Sequence, residues 1–276
     1  LLLRRERPAV LQTWLYHSDL LGLIAGRLAG VPAIAWNIRC SITDDRYFTG
    51  LTGRIVRLLA RLSGRPDAVV VNSEAGRTIH ESMGYRPRRW EVIPNGFDLT
   101  AYQPDAEAYR SVRQELGIPS GAIIIGLVAR FDPLKDHATF LEAAGALHGT
   151  HPDVHFVLAG SKVDWDTPAL AQQVDRLGLR MVTRLLGERQ DIARLTAAFD
   201  IATCSSTGEG FPNIVGEAMA CGVPVVTTDV GDARLVVGDT GKVVPASDPE
   251  ALAAGWREIL SLAPERRAEL GRVARA

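Results

Sequence analysis

Two cations and two carboxylates, carried on segments that alternate with apolar runs, are the groups in this sequence best suited to chemistry. Arg130 and Lys135 stand in Ala129-Arg130-Phe131-Asp132-Pro133-Leu134-Lys135-Asp136, directly after an apolar run. An Arg grips phosphate through two parallel N–H bonds and a Lys adds a compact charge. A helix start at 135–137 adds free backbone amides, so this loop suits a diphosphate. The plain alternative is a solvated loop with a Lys-Asp surface pair. Glu209 and Glu217 lie eight positions apart, the first in a Gly-bearing polar loop and the second inside a helix of small residues. The loop carboxylate can meet a ligand at the strand ends. The helical one, about two turns along, can accept hydrogen bonds from vicinal hydroxyls such as those of a sugar or a ribose. Pro212 begins that helix, and the amides of Gly210, Phe211, Asn213 and Ile214 crown its N-terminus, where they suit the anionic part of the same ligand. A capping role for Glu209 and a surface role for Glu217 explain the pair poorly, because Glu217 sits among Val215, Gly216, Ala218, Met219 and Ala220. His17 follows the apolar Leu11-Gln12-Thr13-Trp14-Leu15-Tyr16 and precedes Ser18, which reads as a helix cap. That order aims the imidazole into a strand-end crevice; its plain alternative is a half-buried capping histidine.

These residues need a scaffold that brings strand ends together, and the hydrophobic pattern supplies one. From Ala9 onward short apolar segments alternate with amphipathic ones, the signature of a doubly wound α/β fold. The first half predicts strands near 9–15, 32–38 and 67–72, helices near 18–29, 51–63 and 74–83, and a short extended piece at Val92-Ile93-Pro94. That is less than a full Rossmann domain. The second half predicts strands near 122–129, 154–159, 181–186, 199–204, 223–228 and 242–245, each followed by a helix or helical turn, which is a complete one. Asn95-Gly96-Phe97-Asp98 is turn chemistry, and the polar stretch to about Pro119 reads as a linker. The expected domains are 1–103 and 104–276. Pro264 to Ala276 reads as a charged helix.

Taken together the motifs resemble those of family 4 retaining glycosyltransferases. Glu209-Gly210-Phe211-Pro212-Asn213-Ile214-Val215-Gly216-Glu217-Ala218-Met219-Ala220-Cys221-Gly222-Val223-Pro224-Val225-Val226 is similar to the family's two-glutamate motif. Ile93-Pro94-Asn95-Gly96-Phe97-Asp98 resembles its IPNG.D segment, Arg130 to Lys135 its diphosphate loop, and Leu186-Gly187-Glu188-Arg189-Gln190-Asp191 its G.R.D loop. The likeness covers essentially the whole chain and is strongest from Val92 to Val226. It implies the GT-B fold, two Rossmann-like domains facing a cleft, with the N-terminal one incomplete. It also implies that Arg130 and Lys135 hold the diphosphate of a UDP- or GDP-linked sugar, Glu217 the ribose, and Glu209 with the amides of Gly210 to Ile214 the sugar ring. Gly187 and Arg189 would lie beside the base, Asn95 and Gly96 at the interdomain cleft, and His17 would match the family's active-site histidine. Transfer of a hexosyl group with retention follows, to a sugar or lipid-linked acceptor in cell-surface polysaccharide or glycolipid synthesis. The family's first strand and glycine-rich loop have no counterpart after Leu1, and the closing helix that returns to the first domain is also lacking.

Breaking the anomeric bond develops negative charge on the leaving diphosphate, so fixed cations there stabilise the transition state more than the ground state. A unit charge about 4 Å away contributes at most roughly 4 kcal/mol at an effective dielectric near 20. No metal or cofactor is then required. A retaining glycosidase is the first rival, since it too uses two carboxylates about 5 Å apart. It leaves the Arg130 and Lys135 loop unused and asks a helical Glu217 to meet Glu209 across one bond. A sugar-nucleotide epimerase, a phosphorylase and a nucleotide-binding but inactive fragment remain as alternatives.

Composition agrees with two modest globular domains: 276 residues, 46% hydrophobic, formal net charge −1. Residues 1–100 hold 14 Lys and Arg against 9 Asp and Glu, and the remainder 17 against 23. Cys40, Cys204 and Cys221 match neither a disulfide framework nor a zinc site, which predicts free thiols in a reducing cytosol. Leu1-Leu2-Leu3-Arg4-Arg5-Glu6-Arg7-Pro8 has the order of mid-protein sequence rather than of a signal peptide. No apolar run reaches bilayer length, and no nucleic-acid partner is expected. Arg54, Arg57, Arg61 and Arg65 recur at helical spacing with Ile55, Leu58, Leu59 and Leu62 read as opposite them. Such a basic face suits peripheral contact with the inner membrane surface, while packing on the sheet with solvated arginines is the commoner role.

Overall fold

A computed structural model describes residues 2–39 and 50–276 of the chain. They form two compact units, Leu1–Asn95 with Gly208–Phe211, and Gly96–Thr207 with Pro212–Ala276. Cys40 and the rest of 40–49 lie outside the described residues.

The first unit opens with α1 (Leu2–Glu6), β1 (Val10–Trp14), α2 (Tyr16–Ala29), β2 (Ala33–Ile38), α3 (Gly50–Leu62), β3 (Ala68–Val71), α4 (Glu74–Ser82) and β4 (Trp90–Val92). Its strands are all parallel and lie in chain order, β1-β2-β3-β4, with Thr13 opposite Trp36 and Asn37 opposite Val70. Alternate residues of β2, Ile34, Trp36 and Ile38, enter one core with Leu23, Val56, Leu59, Val69, Val71 and Tyr85. Burying each such side chain is worth about 1.5–3 kcal/mol, which holds the helices on that face. The helix predicted from residue 18 begins at Tyr16, so Ser18 lies inside its first turn and does not cap it; the N-cap position is Leu15, with φ 70°. On α3 the buried side is Gly53, Val56, Leu59 and Ala60. Leu58, expected opposite the arginines, is instead 42% exposed, and Leu51 is 68% exposed.

The second unit contains α5 (Ala106–Leu116), β5 (Ile123–Val128), a 3-10 turn (Pro133–Lys135), α6 (His137–His148), β6 (Val154–Ala159), α7 (Pro168–Arg176), β7 (Thr183–Leu185), α8 (Ile192–Ala197), β8 (Ile201–Cys204), α9 (Asn213–Ala220), β9 (Val225–Thr228), α10 (Ala233–Val237), β10 (Lys242–Val244), α11 (Pro249–Leu260) and α12 (Pro264–Arg275). Its six parallel strands run β10-β9-β8-β5-β6-β7. The chain therefore builds outward through β6 and β7, returns to the other side of β5, and builds outward again. Both faces are covered: Ile125 and Leu127 join Phe140, Leu147, Leu252 and Trp256 on one, while Ile124 joins Val112, Leu195, Val215 and Val237 on the other. Double burial is why these strands read as continuous apolar runs rather than alternating ones.

The compact units divide after Asn95 and not after residue 103, because the stretch that follows packs on the second unit. The Phe97 ring lies where a Cβ on Gly216 would be, 2.1 Å from it, and Arg275 donates to the carbonyls of Leu99 and Tyr102. The expected linker also contains a helix, α5. Asp105 caps it by accepting from the amides of Glu107 and Ala108, and Gly117 ends it in the left-handed region at φ 62°. Arg113 ties α5 to the sheet: its guanidinium is buried, donates to Asp200 at 2.5 Å and to Ala198 O at 2.8 Å, and stacks on Tyr109.

Candidate functional site

A reversal of strand order leaves the two strands at the switch with their following helices on opposite faces, so a crevice opens beyond their carboxyl ends. In the second unit the switch lies between β5 and β8, which pair with Gly126 opposite Ala202. The loops that leave these two strands are Ala129–Asp136 and Ser205–Pro212, the very segments that carry Arg130, Lys135 and Glu209. Hydrogen bonds join them: the Thr207 amide donates to Leu134 O at 2.8 Å and its hydroxyl to the same oxygen at 3.5 Å, and Ser205 Oγ donates to Lys135 O at 2.8 Å. A cavity of about 520 Å³ lies at the opposite, amino end of the strands, beside Tyr109, Asp200, Pro224 and Arg267. Topology, not cavity size, selects the carboxyl end as the candidate site.

Arg130 is held by its own loop. Its guanidinium pairs with Asp132 at 3.2 Å, and Asp132 in turn accepts from the Leu134 amide at 2.9 Å, capping the 3-10 turn that ends in Lys135. Asp136, at φ 45°, then caps α6 through the Thr139 amide and hydroxyl. Beneath the loop, His137 is buried with its ring edge-on to Phe131, and burial pushes its pKa down to about 4, so the ring is neutral near pH 7. Gly160, at φ 150°, lies so close to the loop that a Cβ would stand 2.2 Å from Ala129 O. Only glycine fits there.

Gly187, at φ 67°, is knitted to the β6 loop: its carbonyl accepts from the Gly160 amide and its amide donates to Val163 O, both at 2.8 Å. Arg189 is committed to neighbours. Two of its nitrogens donate to Asp191 at 2.7 Å and a third to Glu115 at 2.6 Å, and Arg194 joins the same two carboxylates. Hydrogen bonds from Arg189 hold the Asp191 carboxyl down at about 2. This network binds the Gly187-to-Asp191 loop to α5 and α8.

Glu217 sits half-buried on α9, and burial raises its pKa, against which a hydrogen bond from the Tyr102 hydroxyl works. The tyrosine is pushed up to about 12, first by burial and then by the Glu217 charge. Pro212 occupies the N-cap of α9, where its side chain has no group to cap the helix; Asn213 and Ile214 form its first turn. Glu209, Gly210 and Phe211 are partly buried and group with the first unit, as does Asn95, which accepts from Arg39 at 2.5 Å. Gly96 opens the second unit. His17 is exposed in the first turn of α2. The second unit thus brings together Arg130, Lys135, Gly187, Arg189, Asn213, Ile214 and Glu217 on its strand-end loops and α9, while His17, Asn95 and Glu209 to Phe211 fall in the first.

Three contributors escaped the sequence reading. Gly160 to Asp164, the loop after β6, braces both the Arg130 loop and Gly187; the signal was a glycine directly after a buried strand. Phe97 and Tyr102, read as linker, support α9 at Gly216 and Glu217. Cys204 and Cys221 are buried. Among the described residues no helix is long and apolar enough to cross a membrane.

Fold and site define a class: a two-unit α/β protein whose complete parallel sheet presents a cationic loop and a half-buried carboxylate at its switch point. Comparison with known proteins gives the family. The profile described as "Glycosyl transferases group 1" matches residues 122–261, and that of "Glycosyltransferase Family 4" matches residues 1–101. The chain belongs to the group 1 glycosyltransferases of family 4. A D-inositol 3-phosphate glycosyltransferase of Mycolicibacterium gilvum is 34% identical over 206 residues, 72% of this chain and 45% of that protein. Its namesake from Geodermatophilus obscurus is 32% identical over 207 residues, 71% of this chain and 46% of that protein. The chain spans about half the length of the curated relatives it matches. Among solved structures, Anabaena Alr3699/HepE in complex with UDP superposes with a TM-score of 0.85 at 26% identity, over 96% of this chain and 72% of that one. The sheets, parallel throughout, agree with the GT-B folds of such neighbours.

Proposed function

We propose that this chain binds a nucleotide-diphosphate sugar and takes part in transferring its hexosyl group, with retention, to a hydroxyl of a sugar or lipid-linked acceptor. The observation that carries this reading is the joined pair of loops at the β5/β8 switch, with Arg130 and Lys135 on one and the entry to Glu217 on the other. In the proposed reaction the bond from the anomeric carbon to the phosphate oxygen breaks and a bond to the acceptor oxygen forms on the same face. The acceptor proton passes to the leaving phosphate. Arg130 and Lys135 take up the charge that develops on that phosphate, so the step is written without a metal ion or cofactor. Glu217 accepts from the ribose hydroxyls, Glu209 and the amides of Gly210 to Ile214 meet the sugar ring, and His17 acts at the reacting end. Gly187 borders the base, with Arg189 shaping its loop from behind. Likeness to HepE, which was solved with UDP and with UDP-glucose, favours uridine over guanosine.

Calorimetric titration of UDP and GDP into the purified chain tests the donor site. UDP is expected to bind, with Lys135→Ala and Glu217→Gln each weakening it roughly 10- to 100-fold, the loss of one charge-assisted hydrogen bond. A folded sample that binds neither nucleotide would reject the reading, and binding without sugar transfer would leave a nucleotide-binding protein.

A membrane-side acceptor is supported by α3, where exposed Leu51 and Leu58 share the solvent side with Arg54, Arg57 and Arg61, followed by Arg65. Apolar side chains rimmed by cations suit the cytoplasmic surface of an anionic bilayer. Replacing the four arginines by glutamine is expected to release the chain from phosphatidylglycerol vesicles; unchanged sedimentation would remove this part.

A further inference from the structure

The turn that carries His17 is built more elaborately than a strand-to-helix connection needs. Leu15, a non-glycine residue, adopts φ 70° and ψ 159°, a conformation that persists only where the surroundings over-determine it. Here they do: the Leu15 amide donates to Asn37 O at 3.0 Å and the Leu15 carbonyl accepts from the Asp19 amide at 2.9 Å. Around the exposed His17 and Ser18, Tyr16 and Asp19 are buried. Tyr16 and Asp19 point into the unit, and each ends on a polar partner drawn from another element.

The Tyr16 hydroxyl meets His80 Nε2 at 2.8 Å, and His80 Nδ1 lies 2.7 Å from Gly76 O. A carbonyl can only accept, so Nδ1 carries the proton and Nε2 accepts from the tyrosine. On the other side Asp19 Oδ1 accepts from Thr13 Oγ1 at 2.5 Å and the carboxyl also accepts from the Asn37 amide, while Oδ2 has no partner. A fully buried carboxyl with one oxygen unpartnered and no counter-charge is a poor choice for stability alone. Packing does not require it either: α2 rides so close to β1 that a Cβ on Gly22 would stand 2.1 Å from Thr13 Cγ2. The two polar contacts fix direction, one on each side of a single exposed imidazole.

We infer that Asp19 with Thr13, and Tyr16 with His80, are positioning residues that hold His17 at a set point and orientation for the transfer step. The inference rests on the reading of His17 as a group that acts at the reacting end. Neither pair touches substrate; both work through the strained Leu15 turn.

The test compares Asp19→Leu, Thr13→Val, Tyr16→Phe, Asp19→Asn and His17→Gln in two readouts: UDP release from UDP-glucose, and the imidazole signals of 15N-histidine-labelled protein. In Asp19→Leu and Thr13→Val kcat is expected to fall roughly 10- to 100-fold with KM for UDP-glucose nearly unchanged, the pattern of a misplaced catalytic group. Tyr16→Phe should act in the same direction. Asp19→Asn, which still accepts from Thr13, should recover most of the loss. The His17 signals should move to random-coil values in the Leu and Val variants while His80 keeps its dispersed ones, a separation that general destabilisation does not give. If Asp19→Leu fails to fold, Thr13→Val, which changes one hydroxyl to a methyl, decides. A folded Thr13→Val with unchanged kcat and unchanged His17 signals overturns the inference. Unchanged turnover in His17→Gln instead sinks the reading of His17 itself, and the imidazole signals still judge the positioning where turnover is silent.

Discussion

The two sheets of this protein are made of the same parallel β-α units and differ in how the chain adds strands. In the first unit each strand lies beside its predecessor, β1 to β4, so successive crossovers stay on one side and one described core forms, on a single face. In the second the order reverses at β5 and β8, helices cover both faces, and the reversal itself creates the crevice that the cationic loop borders. A site follows from topology in the second unit. In the first, the exposed imidazole owes its position to a strained turn and buried polar contacts. The units also treat a buried carboxyl differently. Asp200 is paired with Arg113 and accepts from the Ile124 amide; Asp19 has one hydroxyl partner, one amide and no counter-charge.

That difference is open to experiment. Removing the counter-charge should have the largest effect: Arg113→Leu leaves Asp200 uncompensated and is expected to destabilise the second unit by about 3–5 kcal/mol. Urea unfolding followed by a probe in each unit checks it, and an unshifted second-unit midpoint would mean that the pair does not tie α5 down. Next comes the pH dependence of Asp19, whose pKa burial raises from 3.8 to about 7. The folded value lies above the unfolded one, so the folded state binds the extra proton between them. Stability is fully present below about pH 4 and is lost as pH rises through about 7. Relative to Asp19→Asn, which cannot titrate, the native chain should lose at most on the order of 4 kcal/mol over that window. Parallel melting curves for the two proteins from pH 4 to pH 8 would show the carboxyl to be better satisfied than the structure indicates.

Gly160→Val probes the crevice alone. Its Cβ would press on Ala129 O and displace the Arg130 loop, and strain of about 1–3 kcal/mol predicts a fall in UDP affinity of roughly tenfold or more. Because His17 lies in the other unit, His17→Gln should leave that affinity within about twofold; a large loss would contradict the assignment of donor binding to the second unit. A modest effect, between those of Gly160→Val and His17→Gln, is expected for Tyr102→Phe, which removes one hydrogen bond from Glu217, worth about 1 kcal/mol. UDP titration reads it as a change of a few-fold.

Much of this was legible in the chain. Strands such as 154–159 and 201–204 are short apolar runs bounded by turn residues, and a doubly buried strand has few other ways to look. Arg130, Lys135 and Glu217 stood out because charged groups beside apolar runs or small residues need a reason. Helix α5 was missed although Asp105 and Gly117 mark its ends, because its buried side includes Arg113, a residue that reads as surface until Asp200 and Ala198 O are seen beside it. Ser18 reads as a cap because a cap is a local motif, and local chemistry does not reveal that Leu15 turns the chain three residues earlier. Spacing places Leu58 on the packed side of α3 because it defines a stripe without saying which edge of it the sheet covers.

By itself the sequence determined most of the strands and helices, the parallel α/β class, and the residue types available for holding a diphosphate and vicinal hydroxyls. Those follow from periodicity and side-chain chemistry, which act over a few residues. Only the tertiary structure decided that the Arg130 and Ser205 loops meet at one switch point, that Arg189 is bound to Glu115 and Asp191, that Tyr102 caps Glu217, and that Asp19 and Tyr16 grip the turn under His17. Each joins residues distant in the chain, and such pairings are selected by how whole strands and helices share one core.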